Sequence, residues 1–319
     1  MDANTRMKML NLYYRDRVKD LGFSQAKVMQ KLWYMFYTMI RPDIFKKMLK
    51  ILMGKYSYIR QVEIVMTTKC SLKCRDCANL MQYYMNPYDT DFSTISFSIN
   101  NLLNKIDEIG TVVLVGGEPF LSSNIKEIID LIAENSKVDH IDIFTNGTIL
   151  PQNETIISLK KKKVRVIVSD YGVISGKKME LVNICQKNGI NVYLKTKDLH
   201  WGLVGDMKPR NRSNKALSKQ FRNCNNYCRS ILNGKLFYCP RAGHGMDLGI
   251  IKTHENEYVN LMKEEISSED ILRIVYSKNY FSACDYCNYG TKQMVNICPG
   301  VQLSAQEKEE LCKNQFNIP

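Results

Sequence analysis

The stretch Gln61-Val-Glu-Ile-Val-Met-Thr-Thr-Lys-Cys70-Ser-Leu-Lys-Cys74-Arg-Asp-Cys77 decides how this chain is read. Residues Gln61–Thr67 are β-branched and apolar enough to form a buried strand. From Cys70 onward, three thiols follow at C-x3-C-x2-C spacing in one polar loop. Such a loop can wrap a [4Fe-4S] cube with three thiolates and leave the fourth iron open to a chelating small molecule. A zinc site needs a fourth nearby protein ligand. The local candidates are the carboxylates Asp76 and Asp89, and no histidine is near.

Outward from this stretch a pattern repeats. Strand-like runs at Thr111–Val115, His140–Thr145, Val164–Ser169 and Asn191–Lys195 alternate with helix-like runs at Ser98–Ile109, Ser122–Glu134, Asn153–Lys162 and Lys177–Asn188. Strand then helix, repeated, predicts parallel strands joined by crossover helices. The expected fold class is α/β, a partial (β/α)6 TIM-like barrel, with its chemistry at the C-terminal strand ends. Polar motifs fall at those ends: Thr67 to Cys70, Gly116-Gly117-Glu118-Pro119, Asn146-Gly147, Ser169-Asp170-Tyr171-Gly172, and Lys195 to Trp201 with His200 between them.

A C-x3-C-x2-C loop after a first strand, followed by Gly-Gly-Glu-Pro at the end of the next, resembles the radical S-adenosylmethionine (SAM) superfamily over about residues 61–205. The resemblance implies that Cys70, Cys74 and Cys77 hold a [4Fe-4S] cluster that binds SAM. It implies that Gly116, Gly117, Glu118 and Pro119 line the methionine amino group, with Asn146 and Ser169 at the strand ends that contact the rest of SAM. The implied reaction cleaves SAM to a 5′-deoxyadenosyl radical, which takes a hydrogen atom from a substrate C–H bond. One position departs from the family pattern. Many members carry an aromatic residue just before the third cysteine, and this chain has Asp76, with Tyr83 and Tyr84 as the aromatic candidates nearby.

The other cysteines fall mainly into a later group. The 319 residues include 11 cysteines, a density that suits metal or cluster ligation in a chain this long. Cys224-x9-Gly234-x4-Cys239, with Cys284-x2-Cys287, resembles the SPASM or twitch extension of the same superfamily. Gly234 to Cys239 reads as a hairpin delivering a cysteine. The resemblance implies one auxiliary [4Fe-4S] cluster held by Cys239, Cys284, Cys287 and either Cys224 or Cys228. Two clusters that also use Cys298 and Cys312 form a competing reading, and a zinc knuckle a third. Three regions are expected: a helical extension over 1–58, the core over 59–205, and an auxiliary-cluster domain with tail over 206–319. Within the last, 206–220 reads as an exposed connector, and 221–300 reads as a segment with little periodicity that buries little apolar surface unaided.

The net charge of +13 is spread along the chain, and no nucleic-acid module is visible. Pro42 and Asp43 mark the start of a helix. Over residues 21–55, Trp33, Tyr34, Phe36 and Tyr37 lie beside lysines. A membrane-surface helix is one reading and a layer packed on the core is the favoured one. No stretch reaches the ~20 apolar residues needed to span a bilayer, and a cytoplasmic location is expected. Asp170 is the candidate acid/base and Cys298 the candidate hydrogen-atom donor. Tyr171, Lys195 and Trp201 are the candidate substrate contacts. The leading functional reading is oxidation or epimerisation of a carbinol carbon in a sugar-like or cyclitol substrate, free, phosphorylated or carrier-linked, with a flavodoxin- or ferredoxin-type electron donor. Modification of a ribosomally made peptide is the second reading, and a non-catalytic Fe–S or zinc interaction protein the third.

Overall fold

Along the first strand, β1 (Tyr58–Thr67), alternate side chains go to two different cores. Val62, Ile64 and Met66 join the larger cluster, whereas Val65 joins a smaller one. That alternation is what the pleat of a strand buried on both faces requires. The structure, a computed structural model, describes residues 1–19, 41–196 and 201–315. Trp33, Tyr34, Phe36, Tyr37 and His200 lie outside them.

Four strands follow β1 on one side: β2 (Glu108–Gly116), β3 (Val138–Thr145), β4 (Val164–Ser169) and β5 (Asn191–Lys195). Each pairs parallel with its predecessor. Helices α3 (Phe92–Lys105), α4 (Ile125–Ala133), α5 (Asn153–Leu159) and α6 (Lys178–Lys187) cover one face. Their apolar sides (Leu102, Ile128, Leu159 and Leu181 among them) share the larger core with Val112, Ile143 and Val166. Each such buried aliphatic side chain contributes about 1.5–3 kcal/mol.

The fold is the expected α/β one with a parallel core, and the sheet is open. Its order is β5-β4-β3-β2-β1-β7-β8-β9. A sixth parallel strand, β7 (Arg229–Leu232), adds to the far side of β1 and not beyond β5. It comes from the Cys-rich region. Strands β8 (Lys235–Phe237) and β9 (Tyr258–Asn260) continue the sheet antiparallel. Asn233 and Gly234, with φ of 47° and 75°, form the two-residue turn between β7 and β8, the left-handed pair that a tight hairpin needs.

Three expectations change. The helix read at Ser98–Ile109 runs instead from Phe92 to Lys105, and Glu108 begins β2. The reason is electrostatic: buried Glu108 is held by Arg17, Lys47 and Tyr56. The connector at 206–220 contains the start of a helix, α7 (Asn214–Asn223), capped by Ser213 and burying Leu217 and Phe221. Residues 221–300 are more regular than their composition suggests. They form β7 to β9, α8 (Pro240–Asp247) and α9 (Ser268–Val275), the last opened by a Ser267–Asp270 capping box. Ile231, Leu236, Val259, Ile271 and Ile274 share the main core. The segment is stabilised by that shared burial.

The N-terminal helices α1 (Ala3–Lys19) and α2 (Pro42–Leu52) brace the opposite, N-terminal end of the sheet. Pro42 begins α2 with Asp43 in its first turn, as read. Tyr58 donates to Asp16 (2.7 Å), and Arg17 reaches Asp139 (2.6 Å) as well as Glu108. Among the described residues no helix is long and apolar enough to cross a membrane.

Candidate functional site

The cysteine loop is rooted where β1 and β2 end side by side. Gly117 N donates to Thr67 O (2.9 Å) and Glu118 N to Lys69 O (2.8 Å), laying the Gly-Gly-Glu-Pro turn on the loop. A Cβ on Gly117 would stand 2.6 Å from the Cβ of Cys70. Only glycine permits this approach. Above this joint Cys70, Cys74 and Cys77 lie within electrostatic reach of one another. Burial pushes Cys70 up to about 12 and Cys74 up to about 11, and raises Cys77 as well.

Donors nevertheless converge on the sulfurs. Leu72 N reaches Cys70 Sγ (3.5 Å), Asn146 Nδ2 lies 3.8 Å from the same atom, and Gln302 Nε2 donates to Cys74 Sγ (3.1 Å). The backbone N–H groups of Met81, Asn79 and Leu80 point at Cys77. One buried thiol, Cys74, and two half-buried ones, Cys70 and Cys77, each receiving N–H donors, fit a cluster that binds thiolates and is tuned by hydrogen bonds to sulfur. Among the described residues no three His, Cys, Asp or Glu side chains close on one point as ligands of a single ion. The fit rests on this donor chemistry.

The neighbouring motifs have separate tasks. Glu118 is fully buried, and burial pushes its carboxyl up to about 7. It accepts from Thr145 Oγ1 (2.7 Å), Asn146 N (2.8 Å) and Phe120 N (3.3 Å), tying the end of β2 to the end of β3. Pro119 opens the short turn Pro119–Leu121. Asn146 donates to Ser71 Oγ (3.2 Å), beside the first thiol. Ser169 hydrogen-bonds Tyr171, and Tyr171 lies within electrostatic reach of Cys74, Cys77 and Cys70. Its ring meets Trp201 edge-on at 5.5 Å. Asp170 is drawn aside. It pairs with Lys178, which holds it below the usual carboxylate range, and it accepts from Gly172 N (2.9 Å). Exposed Lys195 lies 5.0 Å over the Phe144 ring and lines an open groove of about 620 Å³ with Arg165 and Tyr193. Tyr83, with Asp76 and Cys77, lines a further cavity, while Tyr84 is committed to His244 and Asp247 (both 2.8 Å).

A strap from the far end of the chain closes this site. Strand β10 (Asn296–Ile297) pairs antiparallel with β6 (Trp201–Gly202). Past Cys298, which is exposed, the chain lies along the cysteine loop. Arg75 N donates to Val301 O (2.8 Å), Leu303 N to Lys73 O (2.9 Å) and Lys73 N to Gln302 Oε1 (2.8 Å). No sequence pattern signals Gln302, because its role arises only when these two segments meet.

The second thiol group surrounds a cavity of about 500 Å³ lined by Cys224, Cys228, Cys239, Cys284 and Cys287. The β7–β8 hairpin delivers Cys239 to the start of α8, and the turn Ser282–Tyr286 delivers Cys284. Cys224, Cys239, Cys284 and Cys287 influence one another. Burial pushes Cys239 up to about 12 and raises Cys224 and Cys284. Cys228 is governed first by burial and then by Glu63, it also feels Cys239, and Gln61 Nε2 reaches it (3.5 Å). Burial pushes Glu63 up to about 7. A charged residue within the apolar run Val62–Met66 is the one signal that could have singled out Glu63. Glu63 Oε2, Gln220 Oε1 and Arg241 Nη1, all from residues lining this cavity, are buried without hydrogen-bond partners among the described residues. Cluster and ligand sulfurs accept hydrogen bonds, so the orphaned donor among these, Arg241 Nη1, fits such an occupant beside the thiol set.

Comparison with known proteins agrees with this geometry. Residues 64–169 match the model of the Radical SAM superfamily, so the chain carries a radical SAM domain, from a family that binds a [4Fe-4S] cluster and SAM. A GTP 3′,8-cyclase of Syntrophomonas wolfei is 32% identical over 94 residues, which are 28% of each chain. A 7,8-dihydro-6-hydroxymethylpterin dimethyltransferase of Methanocaldococcus jannaschii is 26% identical over 141 residues, 40% of this chain and 28% of that one. The chain therefore spans little more than a quarter of the length of these curated relatives. Among solved structures, BtrN in complex with AdoMet and 2-DOIA is similar at a TM-score of 0.43 and 16% identity, covering 78% of this chain and 100% of that one. Native anSMEcpe with bound AdoMet gives a TM-score of 0.48 at 12% identity, covering 81% of this chain and 97% of that one.

Proposed function

We propose that this protein is a radical SAM enzyme that takes a hydrogen atom from a polar small molecule, oxidising or epimerising a carbinol carbon of a sugar-like or cyclitol substrate. One observation carries the reading. Cys70, Cys74 and Cys77 are gathered with sulfur-directed N–H donors against a Gly-Gly-Glu-Pro turn, at the C-terminal ends of parallel strands. When bound there, the cluster and SAM supply hydrogen-atom abstraction from an unactivated C–H bond.

The chain's own residues do the rest. The backbone of Gly116 and Gly117 offers close approach to the SAM methionine, while Glu118 holds the β2 and β3 ends in register. Asn146 and Ser169 sit at the ends of β3 and β4 for the remaining SAM contacts. Tyr171 and Trp201 wall the site and exclude water from the reacting carbon. The groove lined by Lys195 and Tyr193 suits a hydroxylated or phosphorylated substrate, since a cation and an aromatic face meet there. Residues 206–319 contribute one auxiliary [4Fe-4S] cluster, with Cys224, Cys239, Cys284 and Cys287 as its ligands and Cys228 set apart with Glu63. When bound there, such a centre would supply an acceptor for the electron released on oxidation of a carbinol carbon.

The test is anaerobic reconstitution with iron and sulfide, then dithionite and SAM. The reading expects about eight irons per chain and release of 5′-deoxyadenosine. With substrates deuterated at a carbinol carbon, deuterium should appear in 5′-deoxyadenosine. A loaded protein that forms no 5′-deoxyadenosine would sink the enzyme reading. Deuterium transfer from a peptide but from no sugar or cyclitol would sink the substrate class.

A further inference from the structure

Two buried arginines flank the five-thiol cavity, and among the described residues neither forms an ion pair. Arg241 is 5% exposed. Its Nε donates to Tyr286 O (2.9 Å) and its Nη2 to Gly205 O (2.7 Å) and Asp206 O (2.5 Å). Its Nη1 has no partner, and the residue lines the cavity within electrostatic reach of Cys287 and Cys239. Arg229 is 4% exposed. It donates to the carbonyls of Val275 (2.8 Å), Asn226 (3.1 Å) and Tyr238 (3.0 Å), and its guanidinium lies 3.8 Å over the Tyr238 ring. Cys224, Cys228 and Cys239 all feel its charge.

Carbonyl oxygens satisfy N–H groups but do not cancel a charge. A buried, uncompensated guanidinium is costly, and two of them beside one cavity call for an anionic occupant. Elsewhere in the fold even half-buried arginines are matched: Arg17 has Glu108 and Asp139, and Arg165 has Asp142. Four thiolates on an oxidised [4Fe-4S] cube leave the assembly a dianion, opposite in charge to the two arginines, and burial disfavours the charged form of the carboxyl in the same lining, Glu63. Arg241 Nη1, buried without a partner among the described residues, is placed to hydrogen-bond a ligand or cluster sulfur.

We infer that Arg229 and Arg241 are the counter-charges of the auxiliary centre and set its reduction potential, with Arg241 acting also through a hydrogen bond to sulfur. The inference rests on the auxiliary-cluster reading above. Both are positioning residues: they act on the cluster and do not touch substrate. Reduction adds negative charge, so a nearby cation favours the reduced state and raises the potential. Removing one must lower it.

The experiment uses the full chain with Cys70, Cys74 and Cys77 replaced by alanine, reconstituted anaerobically, so that only the auxiliary signal is read. Iron and sulfide are counted, and the midpoint is measured by EPR-monitored redox titration. In this background R241Q should shift the reduction equilibrium by about tenfold toward the oxidised state, which is about 59 mV for one electron. R241K, which keeps the charge, should recover most of the shift, and R229Q should move the midpoint in the same direction as R241Q. A parent chain that binds no iron overturns the auxiliary reading and the inference together. Full iron with an unmoved R241Q midpoint overturns the inference and leaves the cluster standing. If the glutamine variants fail to load iron while R241K and R229K load, the charge is required to hold the centre and the inference stands. If the lysine variants fail as well, the side chains are structural and it falls.

Discussion

The two thiol groups solve the same problem in opposite ways. Cys70, Cys74 and Cys77 come from one loop, and the groups that donate to their sulfurs are neutral: backbone N–H groups, Asn146 and Gln302, with Lys73 and Glu118 acting only through charge. Cys224, Cys239 and the Cys284/Cys287 pair come from three separate segments, and two buried arginines flank their cavity. The first group is therefore organised by chain geometry before anything binds. The second is organised by the sheet and by charge, and its arginines are strained without an anion. The expected consequence is that metal matters more to the folding of the second.

Chelation gives the largest contrast. Stripping iron from the holoprotein should leave amide exchange in β1 to β4 near its original level and raise it strongly over residues 224–290, read by mass spectrometry. Equal loss of protection in both regions would break the comparison. The same contrast holds thiol by thiol. Cys284→Ser should halve the iron content and spare 5′-deoxyadenosine formation, whereas Cys228→Ser should leave iron unchanged. Loss of iron in Cys228→Ser would make Cys228 the fourth ligand in place of Cys224.

Gly117→Ala comes next. Its Cβ would collide with the root of the cysteine loop, where Cys70 Cβ stands 2.6 Å away. Supporting groups around metal sites typically carry 10–100-fold in affinity, and a loss of that size is expected in SAM binding by equilibrium dialysis, with iron retained. Wild-type binding would show that the turn can withdraw at no cost. Gln302→Leu removes the one side-chain donor to Cys74. The first cluster should then become harder to reduce by about tenfold, about 59 mV, with the auxiliary midpoint fixed. Movement of both midpoints would mean that the strap acts on the fold and not on the sulfur.

The same contrast explains what was legible in the sequence. A local ligand loop after a strand leaves its spacing in the chain, so Cys70 to Cys77 and Gly116 to Pro119 could be read directly. β4 and β5 were bounded correctly because β-branched runs with turn residues on both sides leave little choice. The sixth parallel strand was not legible as such. Arg229–Leu232 is short, and nothing local says that it pairs with β1 across more than 160 intervening residues. Gln302, Arg229 and Arg241 were equally hidden. A glutamine or arginine has no distinctive spacing, and its task exists only once distant segments are packed together. Glu108 was misread as helical because its three partners lie on distant elements.

Asp170 should show the smallest effect, and it divides the two readings of the strand-four end. The sequence marks it as an acid/base candidate. The structure pairs it with Lys178 and closes a turn on Gly172 N, with side-chain exposures of 18% and 22% for the pair. A group held this way is a firm carboxylate with its proton long gone, since Lys178 keeps it below the usual range. It can anchor the turn that carries Tyr171 over the thiols, but it is a weak base. Asp170→Asn keeps the acceptor for Gly172 N and loses the ion pair, which should cost about 0.5–1 kcal/mol in chemical denaturation. The yield of 5′-deoxyadenosine should be unchanged, and turnover should fall no more than about threefold. A loss of 10²-fold or more in turnover with SAM cleavage intact is the size expected for a removed general base. It would place Asp170 on the substrate and make the Lys178 pair a resting arrangement that opens on binding.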